Sequence, residues 1–219
     1  VTPATRVPSD EAPDGRLLGK RGAATRRRLL DATDALLADH GLRDLRVVDI
    51  ARTVGTSPAT FYQYFRDVEE AVLVLARDVG EETTSLGALL DRDWSGAEGL
   101  SSARDLVDGF LRFWDAHRAV LRTRNLAAQE GDDRFRGIRH DSLRPFVDGL
   151  AAKVTEAQRT GRVDRELSPP AAAAALVSMM ERMAAFHNDL ASRDVRRDDI
   201  VETTARIIHQ TVTGGTAVG

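Results

Sequence analysis

From residue 22 onward the apolar positions of this 219-residue chain recur at helical spacing, and no stretch alternates as a strand would. Leu29, Leu30, Thr33, Leu36, Leu37 and His40 follow one helical face, and Gly41 ends that helix. Val47, Ile50, Ala51 and Val54 recur at i, i+3, i+4 and i+7, with Gly55 placed where a left-handed residue closes a helix. Ser57 then offers an N-cap, and Pro58 suits the first helical position because its missing N–H would have no partner there. Asp67 with Glu70 predicts the start of a fourth helix reaching about Leu90. A Gly/Ser break follows Trp94. Helical patterns resume over about 101–117, 118–130, 133–160, 169–191 and 197–213, the eighth opening at Ser168, Pro169 and Pro170. Pro145 is expected to kink or break the seventh. The expectation is an all-α fold of nine helices.

The short second helix, the Gly55 turn and the short third helix have the proportions of a helix-turn-helix. At about 100° per residue, Phe61 and Phe65 share one face of the third helix. Gln63 lies opposite, near Ala59 and Thr60, with Tyr62 and Tyr64 flanking this strip on its two sides. Such a helix could enter a major groove. Ala59 allows close approach, Gln63 can pair bidentately with adenine, and a methyl group can touch thymine. The tyrosine hydroxyls, Ser57 and the helix N-terminal amides could meet phosphates. Arg26, Arg27 and Arg28 at the start of the first helix, after Lys20 and Arg21, could add contacts along the backbone. The same residues also admit plainer roles, the tyrosines as packing rings with wet tips and the arginines as a solvated helix start.

Charge supports the first alternative. Residues 16–66 carry ten basic and five acidic side chains, whereas residues 67–219 carry twenty basic and twenty-six acidic. A basic segment on an acidic body suits a polyanion partner. The chain has no cysteine, which removes disulfides, thiolate metal sites and cysteine nucleophiles. Its five histidines, His40, His117, His140, His187 and His209, lack metal-ligand spacing. No P-loop, GxGxxG or nucleophile elbow occurs, so no catalytic residue, cofactor or metal is expected. No apolar run approaches the roughly 18 residues needed to cross a bilayer, and the first residues lack the apolar region of a signal peptide. A cytoplasmic protein without membrane partner is the expectation. Residues 1–21 read as a disordered arm, 22–66 as the helix-turn-helix domain, and 67–219 as a second helical domain.

The run RRRLLDATDALLADHGLRDLRVVDIARTVGTSPATFYQYFRDVEEAVLVLARDV resembles the DNA-binding domain of TetR-family transcriptional regulators. The matching elements are a first helix ending in HG, the VVDIARTVG second helix, the SPATFYQYF recognition helix and the acidic EEAVL start of the fourth. The resemblance covers about residues 22–80. It implies a two-domain, nine-helix homodimer in which a small molecule bound by the C-terminal domain changes the separation of two reading heads. By position it gives base-facing contacts to Pro58, Ala59, Tyr62 and Gln63, and phosphate contacts to Ser57, Thr60 and Tyr64. The chain departs from the family at Val47 and Val68, where threonine and lysine are common. Arg46 and Arg66 lie nearby as substitutes.

The remaining helices hold candidate effector and dimer residues. Phe110, Phe113, Trp114, Phe146, Met179, Met180, Met183 and Phe186 could line an apolar pocket, with Asn125, Gln129 or His117 orienting a ligand. They could equally be ordinary core. Ala171–Ala175 with Ile200, Ile207, Ile208 and Val212 could form a dimer interface, as a palindromic DNA operator requires, or be buried within one subunit. The resulting reading is a DNA-binding repressor released from its operator by an apolar small molecule. The alternatives are a ligand-independent architectural DNA-binding protein and a helical enzyme.

Overall fold

The structure, a computed structural model, describes residues 13, 15, 17–94 and 96–215. Most of the arm expected over 1–21 lies outside the described residues, and the first helix already begins at Lys20. The helices are α1 (Lys20–Asp39), α2 (Val47–Val54), α3 (Pro58–Tyr62), α4 (Val68–Glu82), α5 (Gly96–Ala116), α6 (Arg118–Gln129), α7 (Asp133–Arg159), α8 (Pro169–Leu190) and α9 (Arg197–Thr213). A single turn at Thr84–Gly87 and a 3-10 turn at Ala88–Asp91 extend α4. Counting that extension with α4, the described residues form nine helices.

Three boundaries differ from those the sequence predicts. The fourth helix is interrupted at Thr83 instead of running to Leu90. The buried Thr83 hydroxyl donates to the Gly80 carbonyl at 2.7 Å and lies 3.3 Å from the Ser142 carbonyl, so a side chain competes with the backbone ladder. Helix α5 starts at Gly96, before residue 101, because Gly96 and Gly99 carry no apolar period to announce it. Pro145 does not break α7, which is one 27-residue helix with the proline inside. Proline forfeits the bond to the Asp141 carbonyl, and both residues are exposed.

The described residues fall into two compact units, one within Val1–Val79 and Ala119–Arg136, the other within Gly80–Arg118 and Gly137–Gly219. In the first, α1 packs on α2 and α2 on α3. Its core holds Leu29, Leu30, Leu37, Ile50, Ala51, Phe61, Phe65, Val72 and Ala76, all nearly free of solvent. Removing such side chains from water is the main favourable term in folding the unit.

In the second unit α9 lies along α5, and α8 packs on both. Leu106, Leu111, Phe146, Leu150, Ala173, Met180, Ala184, Ala205 and Ile208 form its core. Two glycines let the α4 extension pack closely. A Cβ at Gly109 would lie 2.7 Å from Leu86 Cδ2, and one at Gly149 would lie 2.8 Å from Leu90 Cδ1. Of the stretch expected to dimerise, Ala172, Ala173, Ile200, Ile208 and Val212 are buried within the chain. Ala171, Ala174, Ala175 and Ile207 remain exposed.

Polar links tie these helices. Arg139 Nε donates to Glu181 Oε1 at 3.2 Å. The Lys153 ammonium sits 5.1 Å from the centre of the Trp94 ring. Glu202 on α9 accepts a two-pronged pair of bonds from Arg104 on α5, at 2.6 and 3.0 Å, and a third from Arg206. The Arg104 bonds and then Arg206 hold the Glu202 carboxyl at about 2, well below its ordinary 4.5. The folded-state value lies below the unfolded one, so this stabilisation is complete above about pH 4.5 and is lost as the pH falls toward 2. Glu202→Gln should therefore lower the Tm at neutral pH. The gap to the unaltered protein should close as the pH is taken from 4.5 toward 2, measured by circular dichroism melting.

Candidate nucleic-acid interface

The turn between α2 and α3 is built from local signals. Gly55 takes φ 72°, its N–H bonds the Arg52 carbonyl, and the Thr56 N–H reaches back to Ala51 at 2.9 Å. This pattern closes a helix through a left-handed residue, where a side chain would be strained. Ser57 then caps α3, its hydroxyl oxygen accepting the Thr60 N–H at 3.3 Å, and Pro58 occupies the first turn. Helix α3 ends at Tyr62, but Gln63 stays right-handed (φ −73°). The N–H groups of Gln63 and Tyr64 bond three residues back, which tightens the end of the helix.

Phe61 and Phe65 are wholly buried, with ring centres 5.3 Å apart, as their spacing predicts. Ser57, Pro58, Ala59, Tyr62 and Gln63 are exposed, and Thr60 and Tyr64 are partly so. The Tyr62 ring is 55% exposed and meets Phe61 edge-on at 5.9 Å. The Thr60 hydroxyl lies 3.1 Å from that of Ser57, so these two groups are partly occupied by each other. A buried aromatic pair thus presents a strip of small, amide and phenol side chains.

The three arginines of α1 have three different placements. Arg26 is only 7% exposed, and its guanidinium carbon lies 5.0 Å from the centre of the Phe65 ring. Its charge sits against the Phe65 ring as a cation–π contact, largely removed from solvent. Arg28 donates to the Val54 carbonyl at 2.6 Å, satisfying the last carbonyl of α2. Arg27 is exposed and pairs with Asp31 at 2.8 Å and more loosely with Asp78 at 3.8 Å.

Asp67 caps α4 by accepting the Glu70 N–H at 2.7 Å, and the Glu70 carboxylate accepts the Arg66 N–H at 2.5 Å. Beside α3 an open groove of about 550 Å³ is lined by Leu42, Leu45, Arg46, Val47, Val48, Tyr62, Asp67, Val68 and Glu69. Val47 and Val68, the two departures from the family pattern, both stand in this groove. Val48, 56% exposed, is an apolar surface residue that the helical pattern did not single out.

The candidate effector residues are placed as follows. Phe110 and Phe146 meet edge-on at 5.6 Å, and Phe113 lies 6.3 Å from Phe110. Phe110, Trp114, Phe146 and Met180 are buried, whereas Met179 and Met183 are partly exposed. Phe186 is 41% exposed under the Arg182 guanidinium at 3.8 Å. His117 bonds Glu82 at 2.9 Å and Gln129 is exposed. Asn125, in the first unit, accepts the Arg124 Nε–H at 3.0 Å. Among the described residues no group of histidine and carboxylate side chains could hold a metal ion, and no helix is long and apolar enough to cross a membrane.

Comparison with known proteins places this geometry in a family. Residues 29–72 match the model of the tetR family of bacterial regulatory proteins, and residues 86–218 match that of the tetracyclin repressor-like C-terminal domain. Similar solved structures include the fatty acid degradation regulator FadR of Bacillus halodurans. It is 18% identical with a TM-score of 0.63, over 91% of this chain and 98% of that one. The regulator FadR of Bacillus subtilis, solved in complex with stearoyl-CoA, is 16% identical with a TM-score of 0.62, over 87% of this chain and 99% of that one. The SmeT–triclosan complex is 16% identical with a TM-score of 0.61, over 86% and 90%. These likenesses show the shared fold, and the family models span both the helix-turn-helix and most of the helices after it. The chain belongs to the TetR family of transcriptional regulators, with a DNA-binding helix-turn-helix at its N-terminal end.

Proposed function

We propose that this regulator is a repressor that binds a palindromic operator as a homodimer in the cytoplasm and leaves it when an apolar small molecule binds. The observation that carries the reading is the exposed strip Pro58, Ala59, Tyr62 and Gln63, held outward by the buried Phe61 and Phe65. Gln63 reads a base edge, Ala59 lets the helix approach, and Ser57, Thr60 and Tyr64 meet phosphates. Arg27 adds a phosphate contact by exchanging its carboxylate partners. Arg26 and Arg28 act within the protein, one under Phe65 and one on the end of α2.

The dimer reading rests on exposed small residues. Ala171, Ala174, Ala175 and Ser178 recur at i, i+3, i+4 and i+7 on α8, and Ile207 is 41% exposed on α9. Small residues let two helices approach closely, and a two-fold pair matches a palindrome. The effector reading rests on the aromatic and methionine side chains of the second unit: Phe110, Phe113, Trp114, Phe146, Met179, Met180 and Met183. It gains support from the similar proteins bound to stearoyl-CoA and to triclosan. The effector must bind the DNA-incompetent state more tightly, or it shifts nothing.

Selection of a binding site from a random duplex library, followed by footprinting, tests the reading. Recovery of an inverted repeat supports it, and recovery of no common sequence sinks it. A protein that stays on that repeat throughout a screen of apolar compounds is instead a ligand-independent DNA-binding protein. Gln63→Ala should relax preference at one base position per half-site, at a cost of about 1–3 kcal/mol against the best sequence, read by repeating the selection. Arg27→Ala should weaken all sequences alike and reduce the salt slope of binding by about one. Ala175→Arg should convert the dimer to a monomer in sedimentation at micromolar concentration while leaving the helical circular dichroism unchanged.

A further inference from the structure

The first unit contains more than the helix-turn-helix. Residues Ala119–Arg136, nearly all of α6, the turn after it and the first turn of α7, belong to it as well. Two ion pairs join this segment to the reading head. Arg134 Nη2 donates to Glu69 Oε2 at 2.8 Å, and Arg43 Nη2 donates to Glu130 Oε1 at 2.8 Å. The second pair is mostly exposed, 81% at the arginine side chain, and worth little by itself. Arg134 is better held. Its Nε and Nη2 also donate to the two Asp132 oxygens at 3.1 and 2.6 Å, and its own N–H donates to Asp132 Oδ1 at 2.9 Å. The Arg134 bonds draw the Asp132 carboxyl down to about 2 from 3.8. The guanidinium is therefore fixed by its own helix start before it meets Glu69.

Glu69 stands in the first turn of α4 and lines the groove beside α3 together with Tyr62, Asp67 and Val68. Arg134 thus grips a residue that lines the same groove as Tyr62, the last residue of α3. Helix α7 continues unbroken from that grip to Arg159 and carries Phe146 along the way.

We infer that Arg134 is a positioning residue for DNA binding: through Glu69 it sets the first turn of α4 against the recognition helix. This inference rests on the DNA-binding reading given under Proposed function.

Opposite signs separate positioning from simple attraction of charge. If the two side chains acted only through their charges, Glu69→Gln would remove a negative charge near DNA and tighten binding, while Arg134→Gln would weaken it. If they position α4, both weaken binding to the selected duplex, about threefold to fivefold each, the size an ion pair of about 1 kcal/mol supports. The double substitution is then no worse than either single one. Arg134→Lys keeps the charge but not the fork, and it should weaken binding as Arg134→Gln does. Melting by circular dichroism, expected within a few degrees of the unaltered protein, confirms that each variant is folded. Tighter or unchanged binding by Glu69→Gln, additive losses, or full binding by Arg134→Lys would overturn the inference alone. An unaltered protein that selects no sequence would overturn it together with the reading beneath it.

Discussion

A helix of five residues cannot hold its own orientation, since nucleating one turn fixes several dihedrals for very few hydrogen bonds. The rotation of α3 about its axis is set by Phe61 and Phe65, both without solvent exposure. Fixing those two rings fixes the direction of every other side chain on the segment. Pro58, Ala59, Tyr62 and Gln63 face outward because they have no other direction available once the rings are inside. The Gly55 turn and the Ser57 cap place the segment along the chain, but the buried pair decides which face it shows.

The surroundings of α3 reinforce that orientation from several sides. Arg26 closes over Phe65 with a positive charge against the ring face, a position that a neutral polar residue could not occupy with the same attraction. Arg28 ends α2 by taking its last free carbonyl. Arg134, from a segment 65 residues further along, grips the first turn of α4. Three basic side chains thus make contacts within the unit that contains α3. Of the α1 trio, Arg26 is buried, whereas Arg27 and Arg28 are exposed.

The second unit is organised differently. Its helices are long, so periodic burial holds them; Glu202 ties α5 to α9, which lie along one another, and Glu181 ties α7 to α8. The short extension of α4 fits there because Gly109 and Gly149 leave room for Leu86 and Leu90. The aromatic group of Phe110, Phe113 and Phe146 lies on α5 and α7.

Sequence alone determined whatever depends on neighbours a few residues apart. Helical periodicity named the elements, Gly55 and Ser57 named the turn, and the three- and four-residue spacing separated Phe61 and Phe65 from the outward set. Asp67 and Glu70 likewise announced the start of α4. Tertiary structure decided what depends on partners distant in the chain. Nothing local distinguishes Arg26 from Arg27, and only the presence of the Phe65 ring takes one inside and leaves the other in water. Nothing near Thr83 foretells the Ser142 carbonyl, and an acidic Glu69 gives no sign of an arginine 65 positions later. A charged side chain goes where its charge is best compensated, and that compensation is set by the packed fold, not by the adjacent residues.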